Sequence, residues 1–153
     1  MWFLNKKKED PRLGIIFHIP EDIKHLAPTR AHDDDLGIDF KSPTDGLIPP
    51  RGFLIINTLV AASMPKDYGL LLKTRSSMAA KGITVLGGVI DPSYTGLIKV
   101  VLANLSDTGY TINRGDKIAQ GILQKNELVT ITIVNNYPEE KGRGAKGFGS
   151  SGK

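Results

Sequence analysis

Short β-like segments separated by turn signals are the feature of this 153-residue chain that most limits its fold. The segments rich in Ile, Val, Leu and Thr are 13–19, 52–59, 69–74, 83–90, 96–105 and 128–135. Turn sequences such as Thr44-Asp45-Gly46 interrupt them. Strands spaced this closely favour an all-β barrel or sandwich.

Helical signals are scarce. Only residues 77–81 are typical of a helix, and they amount to about one turn. Units of strand, helix and parallel strand are therefore not expected, which excludes Rossmann and P-loop folds. Residues 139–153 differ in kind, because they are polar, basic and rich in glycine, as a mobile tail would be. We expect one domain over residues 1–138, of which 1–12 form a flexible N-terminal extension, followed by the tail.

Composition removes several classes of function. The chain has no cysteine, so disulfides, thiolate catalysis and cysteine-based zinc sites are excluded. No apolar run reaches the roughly 20 residues that cross a bilayer, and the start lacks a signal-peptide core. We therefore expect an intracellular protein, cytoplasmic or nuclear, with no membrane partner. The net charge of +4 suits a polyanionic ligand. The sequence has no basic stripe interleaved with aromatic rings, so we do not expect nucleic acid binding.

The segment 87–96 (Gly-Gly-Val-Ile-Asp-Pro-Ser-Tyr-Thr-Gly) predicts a tight β-hairpin with an acid and a ring at its mouth. Glycine suits the turn because it adopts positive φ without strain. Asp91 follows the apolar pair Val89 and Ile90, where a carboxylate should be partly desolvated and should lower stability unless it has a function. Taken alone, a solvated turn aspartate is the alternative.

Two segments carry groups that suit phosphate. In 73–82 a strand gives way to a helical turn at Arg75, Ser76 and Ser77, which points a guanidinium, hydroxyls and backbone N–H groups at one spot. The alternative is a plain serine N-cap. Gln120 lies among apolar neighbours and must satisfy its amide either in the core or on a ligand.

Acidic residues cluster near the start of the domain. The three aspartates 33–35 repel one another, so they lie in water or near a cation. Asp39 differs, because it stands between Ile38 and Phe40 and should be half buried. A carboxylate in that setting needs hydrogen-bond donors or a hydrated metal.

The tail carries a second set of phosphate ligands. Its glycines free the backbone to wrap a small anion, Arg143 offers a bidentate clamp, and serine hydroxyls add donors. Phe148 is an aromatic ring in a flexible segment, and a nucleobase is its natural stacking partner. The alternative is a disordered linker with one stray ring.

In order and spacing, these segments resemble the five motifs of the trimeric deoxyuridine triphosphatases (dUTPases), from about residue 36 to residue 152. The resemblance implies a distorted jelly-roll-type β-barrel, the β-clip, with one short helix and a flexible tail. It implies hydrolysis of dUTP to dUMP and pyrophosphate with Mg²⁺, which keeps uracil out of DNA and supplies dUMP for dTTP synthesis. It also implies a homotrimer whose active sites draw motifs from more than one chain.

The same resemblance implies residue roles. Asp91 would activate the attacking water, and Tyr94 would pack under the deoxyribose and leave no room for a 2′-hydroxyl. Asp39 would support the phosphates through a metal-bound water, with Mg²⁺ otherwise held by the phosphates. Arg143 would clamp the γ-phosphate and Phe148 would stack on uracil. The implied substrate-binding set is Arg75, Ser76, Ser77, Gly88, Val89, Ile90, Tyr94, Lys99, Gln120, Arg143, Phe148, Gly149, Ser150 and Ser151.

Two other functions compete. A dCTP deaminase shares the fold but needs a general base beside the cytosine, usually Glu, and the central segment offers only Asp91 and Tyr94. A non-catalytic module could use the same scaffold to bind a nucleotide or a protein partner. Ammonia release from dCTP, or pyrophosphate release from dUTP, discriminates among them.

Overall fold

The computed structural model describes residues 14–127, 129–139 and 141. The strands are β1 Ile16–His18, β2 Ile38–Lys41, β3 Gly46–Ile48, β4 Phe53–Asn57, β5 Ala61–Ser63, β6 Tyr68–Lys73, β7 Ile83–Leu86, β8 Val89–Ile90, β9 Lys99–Asn104, β10 Tyr110–Ile112 and β11 Lys117–Lys125. The helices are a 3-10 helix, Glu21–Leu26, and the single-turn α1, Ser76–Ala79.

Two antiparallel sheets enclose the core. One has the order β2-β11-β6-β8 and the other β4-β9-β7, and the pairs β1-β5 and β10-β3 extend the wall. Alternate residues of the strands point inward; on β9, for example, Val100, Leu102 and Asn104 are buried. Phe40 and Leu70 of the first sheet are fully buried and belong to the same apolar cluster as Leu102. The chain is therefore a jelly-roll-type all-β protein, which confirms the predicted class.

Most predicted strands are present but shorter than predicted. The segments 13–19, 52–59 and 96–105 contain β1, β4 and β9, whereas β6 is as long as the predicted segment 69–74 but lies one residue earlier. The predicted helical turn at 77–81 begins and ends earlier, as α1, and the 3-10 helix was not predicted.

The prediction of a strand at 128–135 is wrong for the residues that the structure describes, 129–135. Residues 130–134 alternate as an exposed strand would, but no strand of the described chain lies alongside to pair with them. Ile131 and Ile133 are 85% and 88% exposed, so the described residues cover little of these side chains. Periodicity predicts strand propensity but does not supply a pairing partner.

The predicted hairpin at 87–96 is also wrong. β7 and β8 are consecutive in sequence, yet β7 pairs with β9 whereas β8 pairs with β6. Gly87 and Gly88, with φ of 67° and 96°, turn the chain from one sheet into the other. The residues that follow β8, 91–98, form a loop that leads back to β9, and we call them the Asp91 loop.

Within the described part of the chain, no helix has the length and apolar character to cross a membrane.

Candidate active site

Three neighbouring strands bring the first group of polar side chains together. In the register of the four-stranded sheet, Gln120 of β11 lies opposite Asp39 on β2 and opposite Lys73 on β6. Arg75 follows β6 by two residues in extended conformation. The edge of the sheet therefore gathers an amide, a carboxylate and a guanidinium from segments far apart in sequence. The sequence predicted Asp39, Arg75 and Gln120 individually, and the structure brings them to one place.

A β-bulge adds a further cation. The register of β11 against β2 shifts between Lys117 and Ala119, and both Ile118 and Ala119 are buried. On a regular strand, residues three apart point to opposite faces of the sheet. The extra residue of the bulge brings Lys117 and Gln120 to the same face. Lys117 and Gln120 consequently line the same pocket.

Asp39 contacts two cations, the guanidinium of Arg75 and the ammonium group of Lys117. Its Oδ1 accepts a hydrogen bond from Arg75 Nε at 2.9 Å, and its Oδ2 lies 2.7 Å from Lys117 Nζ. The Arg75 Nη1 also donates to the Lys117 carbonyl oxygen at 3.2 Å. The Asp39 side chain is only 14% exposed, in agreement with the predicted partial burial. This carboxylate thus fixes the positions of both cations, and the trio keeps a net positive charge.

Gln120 is held by the backbone. Its Nε2 donates to the carbonyl oxygen of Thr74 at 3.0 Å, which leaves the other side of the amide toward the pocket. Gly37 makes room for it, because a Cβ at that position would overlap Gln120 Oε1. The sequence left open whether the Gln120 amide lies in the core or meets a ligand. In the structure the residue is partly exposed and lines a pocket.

The two serines are not N-caps. The N-cap residue of α1 is Arg75, and it makes no side-chain capping bond. Ser76 and Ser77 lie in the first turn with exposed side chains. Their hydroxyls are therefore available to a ligand, as the phosphate interpretation requires.

These groups border an open pocket of about 540 Å³, which we call the phosphate pocket. One wall carries Arg75, Ser76, Lys117 and Gln120. Apart from Asp39, the rest of the lining comes from the loop 31–37, which follows the 3-10 helix. A second pocket of about 420 Å³ lies on the other side of Arg75 and Lys117, against β10.

The loop 31–37 is closed by a His–Asp contact. The backbone N–H of His32 donates to Asp35 Oδ2 at 2.9 Å, and the ring Nδ1 lies 3.3 Å from the same oxygen. The bond from the His32 backbone holds the pKa of Asp35 below its usual value. Asp33 and Asp34 are exposed, which agrees with a solvated loop.

The Asp91 loop presents an acid and a ring. Asp91 is exposed in the single chain. The prediction that its carboxylate is partly desolvated is therefore wrong for one chain by itself. The N–H of Tyr94 donates to the Asp91 carbonyl at 3.0 Å, and the Tyr94 hydroxyl donates to the Leu97 carbonyl at 2.9 Å. Any Cβ at Gly96 would collide with the Tyr94 ring, so glycine is needed under the ring.

Backbone contacts attach this loop to the barrel. The Leu72 N–H donates to the Gly88 carbonyl at 2.7 Å, and a Cβ on Gly88 would lie 2.9 Å from Leu72 Cβ. At the other end, the Ile98 N–H donates to the Val60 carbonyl, and Ile98 is fully buried. Val89 is 71% exposed, and Lys99 is exposed where β9 begins.

The Asp91 loop and the phosphate pocket lie at opposite ends of β6. Ile90 pairs with Leu70, so Asp91 continues past the Gly69 end of the strand. Arg75 lies beyond the other end. From Gly69 to Arg75 the extended chain spans about 20 Å. None of the residues that line the phosphate pocket comes from the Asp91 loop.

Five predicted ligands, Arg143, Phe148, Gly149, Ser150 and Ser151, lie outside the described residues. Sequence reasoning missed Lys117, Gly37 and His32. Lys117 lies three residues before Gln120, and Gly37 lies two residues before Asp39, so the sequence offered a signal for both. Their roles in the site depend on the bulge and on cross-strand contacts, which the sequence does not show.

An all-β fold with a pocket lined by Arg75 and Lys117 is the class of protein that suits a polyanionic ligand. The dUTPase family model matches residues 24–152, so the chain belongs to the dUTPase family. By that membership it is a dUTP diphosphatase. The predicted family and activity are thereby confirmed.

Individual relatives agree. The deoxyuridine 5′-triphosphate nucleotidohydrolase of Corynebacterium efficiens is 42% identical over 82% of this chain and 71% of its own length. The enzyme of the same name from Mycobacterium marinum is 38% identical over 82% and 86%. Among solved structures, the Staphylococcus bacteriophage 80alpha dUTPase with dUPNHPP is 25% identical, covers 92% of this chain and 99% of that one, and has a TM-score of 0.77.

Proposed function

We propose that this dUTPase binds the triphosphate of dUTP in the phosphate pocket and activates the attacking water with Asp91. The observation that carries the proposal is the fixed group of Arg75, Lys117 and Gln120 around one pocket. Hydrolysis at phosphorus needs charge neutralisation, alignment and a base for water. The two cations and the Ser76 hydroxyl supply donors for the phosphates, and Ser77, which lines the neighbouring pocket, would add its hydroxyl from the other side of Arg75.

Magnesium fits this pocket as a companion of the substrate. No group of three or more His, Asp or Glu side chains that could hold a metal occurs among the described residues. Mg²⁺ keeps several waters and binds through substrate phosphates where the protein offers no full cage. Bound there, it would neutralise charge on the phosphates. Both Asp39 oxygens already face cations, so we assign Asp39 first to Arg75 and Lys117.

The Asp91 loop suits the nucleoside. Tyr94, fixed by its bond to Leu97 and lying over Gly96, offers a flat surface for the deoxyribose. A ring held this firmly would clash with a 2′-hydroxyl, which gives discrimination against UTP. The backbone of Gly88, Val89 and Ile90, together with Lys99, would read the uracil edge.

One chain cannot bring the two halves together. The base must lie close to the α-phosphorus through one water, yet Asp91 and Arg75 are separated by about the length of β6, roughly 20 Å. We therefore propose that each site combines the phosphate pocket of one copy with the Asp91 loop of another, in a homotrimer.

Two exposed apolar surfaces support this assembly. On the outer face of β4-β9-β7, Phe53 and Ile55 are 62% and 54% exposed, and Leu86 shares a rung with Val101 opposite Ile55. Contiguous apolar patches of this kind mark interfaces. The unpaired segment 129–134 is the second surface, since its apolar side chains would be covered by a neighbouring copy.

The tail would complete the site. We propose that 139–153 is a separate segment in which Arg143 clamps the γ-phosphate, Phe148 stacks on uracil, and Gly149, Ser150 and Ser151 close over the phosphates. Residues 1–138 then form the barrel domain.

A nucleotide panel tests the reaction. Wild-type protein with dUTP, UTP, dTTP and dCTP, with and without Mg²⁺, should release pyrophosphate from dUTP only, and fastest with Mg²⁺. Ammonia from dCTP would favour the deaminase alternative. Asp91→Asn should lower kcat by at least about 100-fold with a modest change in affinity, because it removes the base and leaves the phosphate ligands. Unchanged turnover would remove Asp91 from this role.

Mixed assemblies test the shared site. Asp91→Asn and Arg75→Ala copies, each nearly inactive alone, should regain activity when unfolded and refolded together. Random mixing in equal amounts gives each site an intact loop and an intact pocket with a probability of about one quarter. Two control mixtures, each containing one variant with itself, should stay inactive. No recovery in properly refolded mixtures would place both halves in one chain.

A further inference from the structure

We propose that His32, oriented by Asp35, is an additional substrate ligand that contacts the outer phosphates of the triphosphate as an imidazolium. The inference rests on the proposed function of the phosphate pocket. It assigns a role to a residue that the sequence did not single out.

The placement of His32 is the first observation. It lines the phosphate pocket together with Arg75, Ser76 and Gln120. A polyphosphate bound in this pocket therefore lies beside the loop 31–37 as well as beside the cations. Among the groups of this loop that face the pocket, His32 is the one that can carry positive charge.

The orientation of the ring is the second observation. Asp35 holds it through Nδ1 at 3.3 Å and holds the backbone of the same residue at 2.9 Å. The N–H of Asp35 returns a bond to the His32 carbonyl at 3.2 Å, so the turn is closed on both sides. With Nδ1 engaged, Nε2 is the nitrogen left to donate, and it makes no hydrogen bond with any described residue. A carboxylate that fixes one ring nitrogen defines which nitrogen meets the ligand.

The charge balance of the pocket is the third observation. The loop 31–37 otherwise carries carboxylates, which would repel phosphate. An imidazolium on the same loop offsets that repulsion. The charged groups that face the pocket with His32 are Asp34 and Asp35 of its own loop, Asp39 of β2, Arg75 before α1 and Lys117 of β11.

The sign of the pH dependence follows. Only the protonated form of the imidazole adds a cation to the pocket. The contribution is therefore complete at low pH and is lost as pH rises. Because the residue is exposed, we expect the effect to be about threefold to tenfold in affinity.

The test compares wild type with His32→Gln and His32→Lys in the assembled protein. The probes are α,β-imido-dUTP, which is not hydrolysed, and dUMP, which lacks the outer phosphates; both are titrated from pH 5.5 to 8.5. The ratio of Kd values, His32→Gln over wild type, should be about three to ten for the triphosphate at low pH and approach one at high pH. His32→Lys should bind the triphosphate tightly across the range, and dUMP should bind all three proteins equally.

A Kd ratio that does not change with pH, or one that is the same for dUMP, would overturn the inference. Asp35→Asn gives a second measurement, which is the change of Kd between low and high pH; freeing the ring should make this change smaller, whereas the loss of a carboxylate that repels phosphate should strengthen binding at every pH. If wild-type protein hydrolysed dUTP but none of these differences occurred, His32 would be excluded as a phosphate ligand, and the proposed function of the pocket would stand. If wild type neither bound nor hydrolysed dUTP, the proposed function itself would fail.

Discussion

Replacing Asp39 should affect both the stability of the fold and the binding of dUTP, and the two effects can be measured separately. It accepts charged contacts from Arg75 at 2.9 Å and Lys117 at 2.7 Å with a side chain that is only 14% exposed. In Asp39→Asn the charge is lost, so two cations are left side by side without a counterion. Breaking one partner of such a group leaves an uncompensated charge in a partly buried position.

The magnitude follows from one charged hydrogen bond, from Arg75, and one ion pair, with Lys117. A hydrogen bond to a charged group contributes about 1.5–3 kcal/mol, a partly exposed ion pair adds up to about 1 kcal/mol, and asparagine retains one weaker acceptor, so we expect a loss of about 2–4 kcal/mol in unfolding free energy. For a chain of this length that is a fall in Tm of about 5–15 °C. KM for dUTP should rise more than kcat falls, because the guanidinium of Arg75 is no longer held against the pocket.

Asp107→Asn is the matched control. Asp107 accepts a bond from Arg51 Nε at 2.7 Å, as short as the Asp39 contacts, but the two side chains are 82% and 65% exposed. Exposed pairs contribute less than about 1 kcal/mol, so this change should leave Tm and KM nearly unaltered. Thermal unfolding and dUTP kinetics are measured on both variants at equal protein concentration, because assembly makes Tm concentration-dependent. Equal shifts in the two variants would refute the counterion role.

Three further changes probe other parts of the site. Gly37→Ala should displace Gln120 and raise KM, whereas Gly14→Ala, where a Cβ meets nothing within 4 Å, should be silent; equal kinetics would remove the steric reason. Tyr94→Ala should raise turnover of UTP relative to dUTP, and a variant that still rejects UTP would move the discrimination elsewhere. Deletion of 141–153 should nearly abolish hydrolysis while thermal unfolding stays cooperative, and an active truncation would mean that the tail is only a linker.

Some of the residues that the sequence singled out lie together in the structure, at one edge of the four-stranded sheet. Asp39, Arg75 and Gln120 could be named because their chemistry is unusual for their local setting. Their mutual distances could not, because they depend on the register of β2, β11 and β6, which is set by long-range pairing. Lys117 escaped notice for the same reason, since only the bulge turns it toward the pocket.

Two errors share one cause. The segment 83–90 was predicted as one strand and 87–96 as a hairpin, because local turn chemistry does not show which sheet each arm will join. The alternation at 130–134 predicted a strand, but no strand among the described residues pairs with it. A pattern within a segment indicates the propensity of that segment and does not show which other segment it pairs with.

The Asp91 loop is suspended between the two sheets, because it enters from β8, which pairs with β6, and leaves into β9, which pairs with β4 and β7. Both sheets must be assembled before the acid has a defined position, so the loop should be among the last parts of the barrel to acquire its native conformation during folding. By contrast, the edge formed by β2, β11 and the end of β6 belongs to one sheet. A partly folded chain could therefore capture polyphosphate before it is able to cleave it.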